Sequence, residues 1–254
     1  MKVIDVLGMH ITDYPLKEAV KLSLKFMGNG AMNTIFYVSS QVLLDAGENP
    51  QQREWLESMD LILYGEPTVL DVLGENTRER KNEIKQDAFL HEFIKKIARG
   101  KQKVYLIMDS DEKADALDMY LHELHGSVDV VGRYIWNGEA SSAEDLVNEL
   151  NDASPDVIIS KLPNAEQQKL ICENRRMINA GVWVALLYER VAKKKKVTFG
   201  SKLDWMFYKR LFKRKVNKYE IEKSENGQTA SDEVNDILAD ESVTETAERK
   251  DTEE

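Results

Sequence analysis

A single cysteine, Cys172, in 254 residues rules out an intramolecular disulfide framework and any multi-cysteine zinc or iron–sulfur site. Long apolar runs are also missing. The stretch 182–187 is typical of the longest, far short of the ~20 residues that a membrane-spanning helix needs. The opening Met1-Lys2-Val3-Ile4-Asp5 places an acid where a signal peptide requires apolar residues. With five prolines and thirteen glycines there is no Pro-rich or Gly-rich linker and no repeat of fixed period. Neither G-x-G-x-x-G nor G-x-x-x-x-G-K-[ST] occurs, which removes dinucleotide oxidoreductases and P-loop NTPases. The expectation is a cytoplasmic protein with no cofactor and no metal.

Two periodicities alternate over the first 190 residues. Strand-like apolar runs cover 3–7, 34–38, 61–64, 104–108, 128–134, 157–160 and 182–187. Helical spacing separates them. Leu16, Ala19, Val20, Ser23 and Leu24 recur at three and four residues, as do Phe89, Phe93, Ile94 and Ile97 before Gly100. Ala114, Leu117, Leu121 and Leu124 form a further stripe, and helices follow over 145–150 and 164–180. Apolar, unpatterned strands alternating with helices predict an α/β domain with a Rossmann-like, largely parallel sheet and helices on both faces. The polar stretch 76–86 reads as a long connection, either a solvated loop or a site lid.

Charge is distributed unevenly. Residues 193–218 hold nine Lys and two Arg against Asp204, a net of +10, while 219–254 hold thirteen acids against three bases, a net of −10. The total of −10 leaves −10 for residues 1–192. Three segments are therefore expected: a globular domain over 1–192, a basic helical appendage over 193–218 and a disordered acidic tail over 219–254. Aromatics mixed with Lys and Arg over 203–216 suit an anionic membrane surface, each basic residue adding ~1 kcal/mol. A helix packed by its aromatics with solvated lysines is the competing reading. The same cations would also meet phosphates, but nucleic acid is not an expected partner.

Individual motifs carry little chemistry. Asp109-Ser110-Asp111-Glu112 directly follows a strand and could hold a divalent metal, or cap the next helix with Ser110 or Asp109. His122 and His125 share a helix without a third ligand in view.

In sequence order, several segments resemble the WecG/TagA/CpsF glycosyltransferase family. Val6-Leu7-Gly8-Met9-His10-Ile11 followed by Leu16-Lys17-Glu18-Ala19 is similar to the family's start. Asp60-Leu61-Ile62-Leu63 resembles the strand leading into its active site, and Asp156-Val157-Ile158-Ile159 the strand before its Gly-Pro-Lys-Gln-Glu segment. Residues 203–216 resemble its membrane-docking appendage. Where the family has Pro-Asp-Gly with Asp as general base, this chain has Tyr64-Gly65-Glu66, so the resemblance implies Glu66 as base. Ser39 stands where the family has the threonine of Thr-Pro-Asn, and Gln167 matches its glutamine; both are implied donor contacts. Asp87 matches a family Asp, without the Arg that precedes it. Lys209, Arg210, Lys213 and Arg214 are the implied contacts for acceptor diphosphate or lipid headgroups.

The implied activity is inverting transfer of an N-acetylhexosamine-type sugar from a UDP-sugar to a polyprenyl-diphosphate-linked saccharide, at the inner face of the cell membrane in envelope or capsule synthesis. The alternative is a catalytically inactive relative, a membrane-associated scaffold or regulator. A protein partner or homo-oligomer accompanies either.

Overall fold

The computed structural model describes residues 2–74, 77–138, 141–188 and 210–224. The chain opens with β1 (Lys2–Val6) and β2 (Met9–Asp13), paired as an antiparallel hairpin. Its two-residue turn holds Leu7 at φ 53° and Gly8 at φ 82°, the left-handed pair that a tight hairpin turn demands. Leucine in that region costs about 1–2 kcal/mol. Burial of the Leu7 side chain, worth roughly 1.5–3 kcal/mol, offsets the cost. The strand-like run read over 3–7 therefore lies outside the parallel sheet, because the turn reverses the chain and pairs it locally.

Then follow α1 (Leu16–Phe26), β3 (Asn33–Val38), α2 (Ser40–Glu48), α3 (Pro50–Glu57), β4 (Leu61–Tyr64), α4 (Pro67–Val72), α5 (Arg78–Lys85) and α6 (Ala88–Arg99). The second half runs β5 (Lys103–Met108), α7 (Asp111–Leu124), β6 (Asp129–Ile135), α8 (Ala143–Ala153), β7 (Val157–Lys161), α9 (Asn164–Asn174) and β8 (Val182–Ala185). Strands β3 to β8 form one six-stranded parallel sheet in the order β4-β3-β8-β7-β5-β6. Burial follows that order. Central β7 and β8 are buried along nearly their whole length, while edge strand β6 alternates exposed and half-buried residues, as one open edge and covered faces require.

Helices cover both faces. On one, α6 packs against α1 and α7, over a core that includes Tyr37, Phe89, Phe93, Leu106 and Val184. On the other, α3 packs against α2 and α9, and α9 against α8. The chain leaves β5 for α7 on the first face and β7 for α9 on the second. The boundary between these neighbouring strands is therefore the topological switch point of the sheet, whose carboxyl end is the usual ligand crevice in open α/β sheets.

The stretch expected as a polar loop is mostly α5. Thr77 caps it by accepting from the Arg80 amide at 3.3 Å, and Lys81 pairs with Asp71. Only Ile84 of this helix is buried, so no apolar stripe announces it. Two compact units are distinguished, 1–212 and 213–254. Residues 210–224 are helical, so the expected boundary between appendage and tail at 218/219 falls within a helix. A Lys218–Glu222 pair one turn apart supports its continuation. The lysine run 193–196, Lys209 and the tail from 225 lie outside the described residues.

Candidate active site at the carboxyl ends of the strands

At the end of β3, Ser39 caps α2 by accepting from the Val42 amide at 3.3 Å and is buried. At the end of β4, the Gly65 amide donates to Val38 O at 2.7 Å. A Cβ on Gly65 would stand 2.9 Å from Leu187 Cδ2 and 3.1 Å from Val38 O, so a side chain there would have to displace Leu187 and press on the neighbouring strand end. The approach aims the next residue across the rim. Glu66 Oε1 accepts from the Ser40 amide at 2.8 Å and from Ser40 Oγ in a short contact. Glu66 Oε2 has no hydrogen-bond partner among the described residues, and the side chain is half-exposed.

Across the crevice, Asp109 follows β5. Its Oδ2 accepts from Lys113 Nζ at 2.5 Å and Tyr188 Oη at 2.7 Å, and Lys113 lies 4.6 Å above the Tyr188 ring centre. Desolvation pushes the Asp109 carboxyl up, but the Lys113 and Tyr188 hydrogen bonds outweigh it and hold the carboxyl below its ordinary value. Lys113 is raised in turn, first by its hydrogen bond to Asp109. Ser110 caps α7 by accepting from the Lys113 amide, and Asp111 faces Arg133. The acidic cluster therefore works as a helix start with a neutralised carboxylate. The two histidines also separate: His122 pairs with Asp118, while His125 ends the helix and contacts Ser127.

Behind the loop that follows β7, Gln167 is fully buried. Its Oε1 accepts from Ser160 Oγ at 2.7 Å and the Leu162 amide at 3.2 Å, and its Nε2 donates to Leu186 O at 3.2 Å. Trp183 Nε1 donates to the same Ser160 hydroxyl at 2.8 Å. In the first turn of α9, which no side chain caps, Glu166 accepts from Trp136 Nε1 at 2.7 Å.

A cleft beside the β3 and β4 ends is lined by Tyr14, Tyr37, Tyr64, Arg80, Glu83 and Asp87. Arg80 bonds Asp13 and Glu83 at 2.6 Å each, and Tyr14 O at 3.3 Å. Burial lowers the Arg80 pKa, but its carboxylate partners, Glu83 first, more than compensate and leave it raised.

The family model for the WecG/TagA/CpsF glycosyltransferases matches residues 4–186. The chain belongs to this family. Comparison with curated proteins returns no match. The match covers the whole six-stranded sheet and most of the hairpin, and the family is one of glycosyltransferases, enzymes that move a sugar from an activated donor to an acceptor.

Within the family frame, Ser39, Glu66 and Gln167 all come to the carboxyl edge of the sheet, but differently. Ser39 and Gln167 are buried and bonded inward, Gln167 to the Ser160 hydroxyl as well as to backbone; of the three only Glu66 is partly exposed. Arg210, Lys213 and Arg214 are exposed on the C-terminal helix, and Lys209 lies outside the described residues. Sequence reasoning missed Ser40, which orients Glu66, and the cleft residues Tyr14, Tyr37, Arg80 and Glu83. Tyr64 did carry a signal: it ends a strand otherwise built of aliphatic residues. Among the described residues no group of three or more His, Cys, Asp or Glu is placed to hold a metal, and no helix is long and apolar enough to cross a membrane.

Proposed function

We propose that this chain transfers an N-acetylhexosamine-type sugar from a UDP-sugar to a polyprenyl-diphosphate-linked saccharide, inverting the anomeric centre, with Glu66 as general base. The observation that carries this reading is the asymmetric hold on Glu66. Two donors from Ser40 fix Oε1 while Oε2 has no protein partner among the described residues. A base must be a positioned carboxylate with one oxygen left for the acceptor hydroxyl, and this arrangement supplies it. The hydroxyl oxygen attacks the anomeric carbon as its proton passes to Oε2, and UDP leaves from the opposite face with the bonding pair. The uncapped first turn of α9, at the crevice, offers backbone amides to the departing diphosphate. Gln167 acts as a positioning residue, fixing the loop after β7 through its bond to the Leu162 amide. Ser39, rather than touching the donor, sets the start of the helix from which Ser40 reaches Glu66.

The basic stretch 193–218, with exposed Arg210, Lys213 and Arg214, would dock on an anionic membrane at its inner face, where the lipid-linked acceptor lies. Glu66→Gln tests the catalytic assignment because it keeps an acceptor for Ser40 while removing the base. Sugar transfer is expected to fall roughly 10²–10⁴-fold with calorimetric UDP binding unchanged. Unchanged transfer would remove Glu66 from the mechanism.

A non-catalytic scaffold of polysaccharide synthesis is the second reading. Gly65 at the position of the family's Asp and the wholly internal bonding of Gln167 favour it. Absence of UDP and UDP-N-acetylhexosamine binding, with and without Mn²⁺, would decide for the scaffold.

A further inference from the structure

Asp109, Lys113 and Tyr188 take no part in the mechanism above, yet they meet where the chain leaves the sheet. Tyr188 follows β8, and the +10 stretch starts at Lys193. Between the two, three consecutive residues are pinned to three different strand ends. The Leu186 amide donates to Ser160 O of β7 at 2.8 Å, and Leu186 O accepts from Gln167 Nε2 at 3.2 Å. Leu187 is buried and reaches past the end of β3 to lie against Gly65, which follows β4. Tyr188 reaches the other way, past β7, and its hydroxyl donates to Asp109 Oδ2 at 2.7 Å beyond the end of β5. Lys113 closes the triangle, 3.1 Å from Tyr188 Oη and bonded to Asp109.

A ring packed by apolar contact alone can slide. A hydroxyl that donates to a carboxylate and accepts from an ammonium is fixed in direction as well as distance. The Lys113–Asp109 pair would add little by itself at the surface, but here it holds a half-buried third member that belongs to the departing segment. Leu187 therefore sits between two fixed neighbours, Leu186 pinned through its backbone and Tyr188 through its hydroxyl. Its side chain has a set position against Gly65, which lacks the Cβ that would compete for that space. The Gly65 amide donates to Val38 O at 2.7 Å, and Glu66 follows directly. A line of contacts thus runs from Asp109 through Tyr188, Leu187 and Gly65 to Glu66, joining the two sides of the rim.

We infer that Tyr188 is a positioning residue for Glu66: its clasp on Asp109 and Lys113 holds Leu187 against Gly65 and so fixes the β4 end from which Glu66 projects. The role of Glu66 as base rests on the transferase reading, but the positional claim is measurable without turnover. Two amides report it, that of Leu186 bonded to Ser160 O and that of Gly65 bonded to Val38 O. Their hydrogen exchange, resolved by NMR on the full chain, is compared between wild type, Tyr188→Phe and Asp109→Ala. Phenylalanine keeps the ring, and in the second variant Ser110 keeps its cap on α7. Both amides are expected to exchange about tenfold faster in both variants, as loss of one charge-assisted hydrogen bond implies, with the amides of α8 unchanged. A Gly65 amide exchanging at the wild-type rate in both folded variants would overturn the inference. Acceleration spread evenly over α8 as well would also overturn it, since Tyr188 would then add only general stability. A double-mutant cycle tests the action on Glu66. Tyr188→Phe should lower kcat for sugar transfer about tenfold through misplacement of the base, and should add no further loss in a Glu66→Gln background. Additive losses would overturn action through Glu66. Should Glu66→Gln leave transfer unchanged, the base assignment falls while the exchange rates still decide the clasp.

Discussion

Position 65 is a glycine where the family resemblance sets an acid. The β4 end is drawn against Val38 O and Leu187, so a Cβ there would press on both. Restoring the family's acid with Gly65→Asp is therefore expected to destabilise by about 1–3 kcal/mol through overpacking without improving transfer. A lowered melting temperature together with unimproved activity would agree. A gain in transfer at undiminished stability would show that the strand ends can part, and would move the base from residue 66 to 65. The neighbouring choice of glutamate is equally local. Its longer side chain reaches Ser40, where an aspartate at 66 would fall short of the same two donors. Gly132 is fixed by a similar constraint, since a Cβ there would run into the Tyr105 ring. That ring is oriented by a short hydrogen bond to Glu149, and burial followed by this bond raises its hydroxyl pKa.

At the scale of elements, legibility follows the source of each element's stability. Helix α6 was visible because Phe89, Phe93, Ile94 and Ile97 draw an apolar stripe that the core then buries. Strands β3, β5, β7 and β8 were visible because central parallel strands are apolar on both faces. Helix α5 was not, because its support is ionic and comes from residues distant in sequence: Arg80 reaches Asp13, and Lys81 reaches Asp71. Hairpin β1–β2 was half-read for another reason. Its left-handed turn is built from Leu-Gly, not Asn-Gly, so no turn signal separated the two strands. Of the site, Glu66 was reachable by resemblance, whereas its partner Ser40 depends on a contact across 26 residues. A consequence of the polar build of α5 is that its cap should matter more than is usual. Thr77→Ala is expected to cost about 1 kcal/mol and to speed hydrogen exchange at the Arg80 amide. Exchange equal to wild type would mean that the ion pairs alone hold the helix.

For the whole molecule, the charge segregation is the property with the clearest experimental handle. A domain of −10 is followed by a +10 stretch and a −10 stretch. Deleting residues 193–218 should abolish sedimentation with phosphatidylglycerol vesicles at low salt, and raising salt should release the full chain. Full-length protein that ignores such vesicles at low salt would refute docking through this stretch. Charge and the parallel α/β class were thus available from composition and periodicity; the strand order and the distribution of burial around the rim required the fold.

The strand order β4-β3-β8-β7-β5-β6 also has a temporal meaning. The centre of the sheet is made of the two strands synthesised last, so until residues 157–185 arrive the earlier strands exist as two separate pairs with open inner edges. The carboxyl crevice, which lies between β5 and β7, cannot form before that closure. At least 66 further residues follow Tyr188, and at ~5–20 residues per second their translation gives the inner edges several seconds to be sealed. Burial of Trp183 in the last strand would report the moment at which the molecule acquires a site.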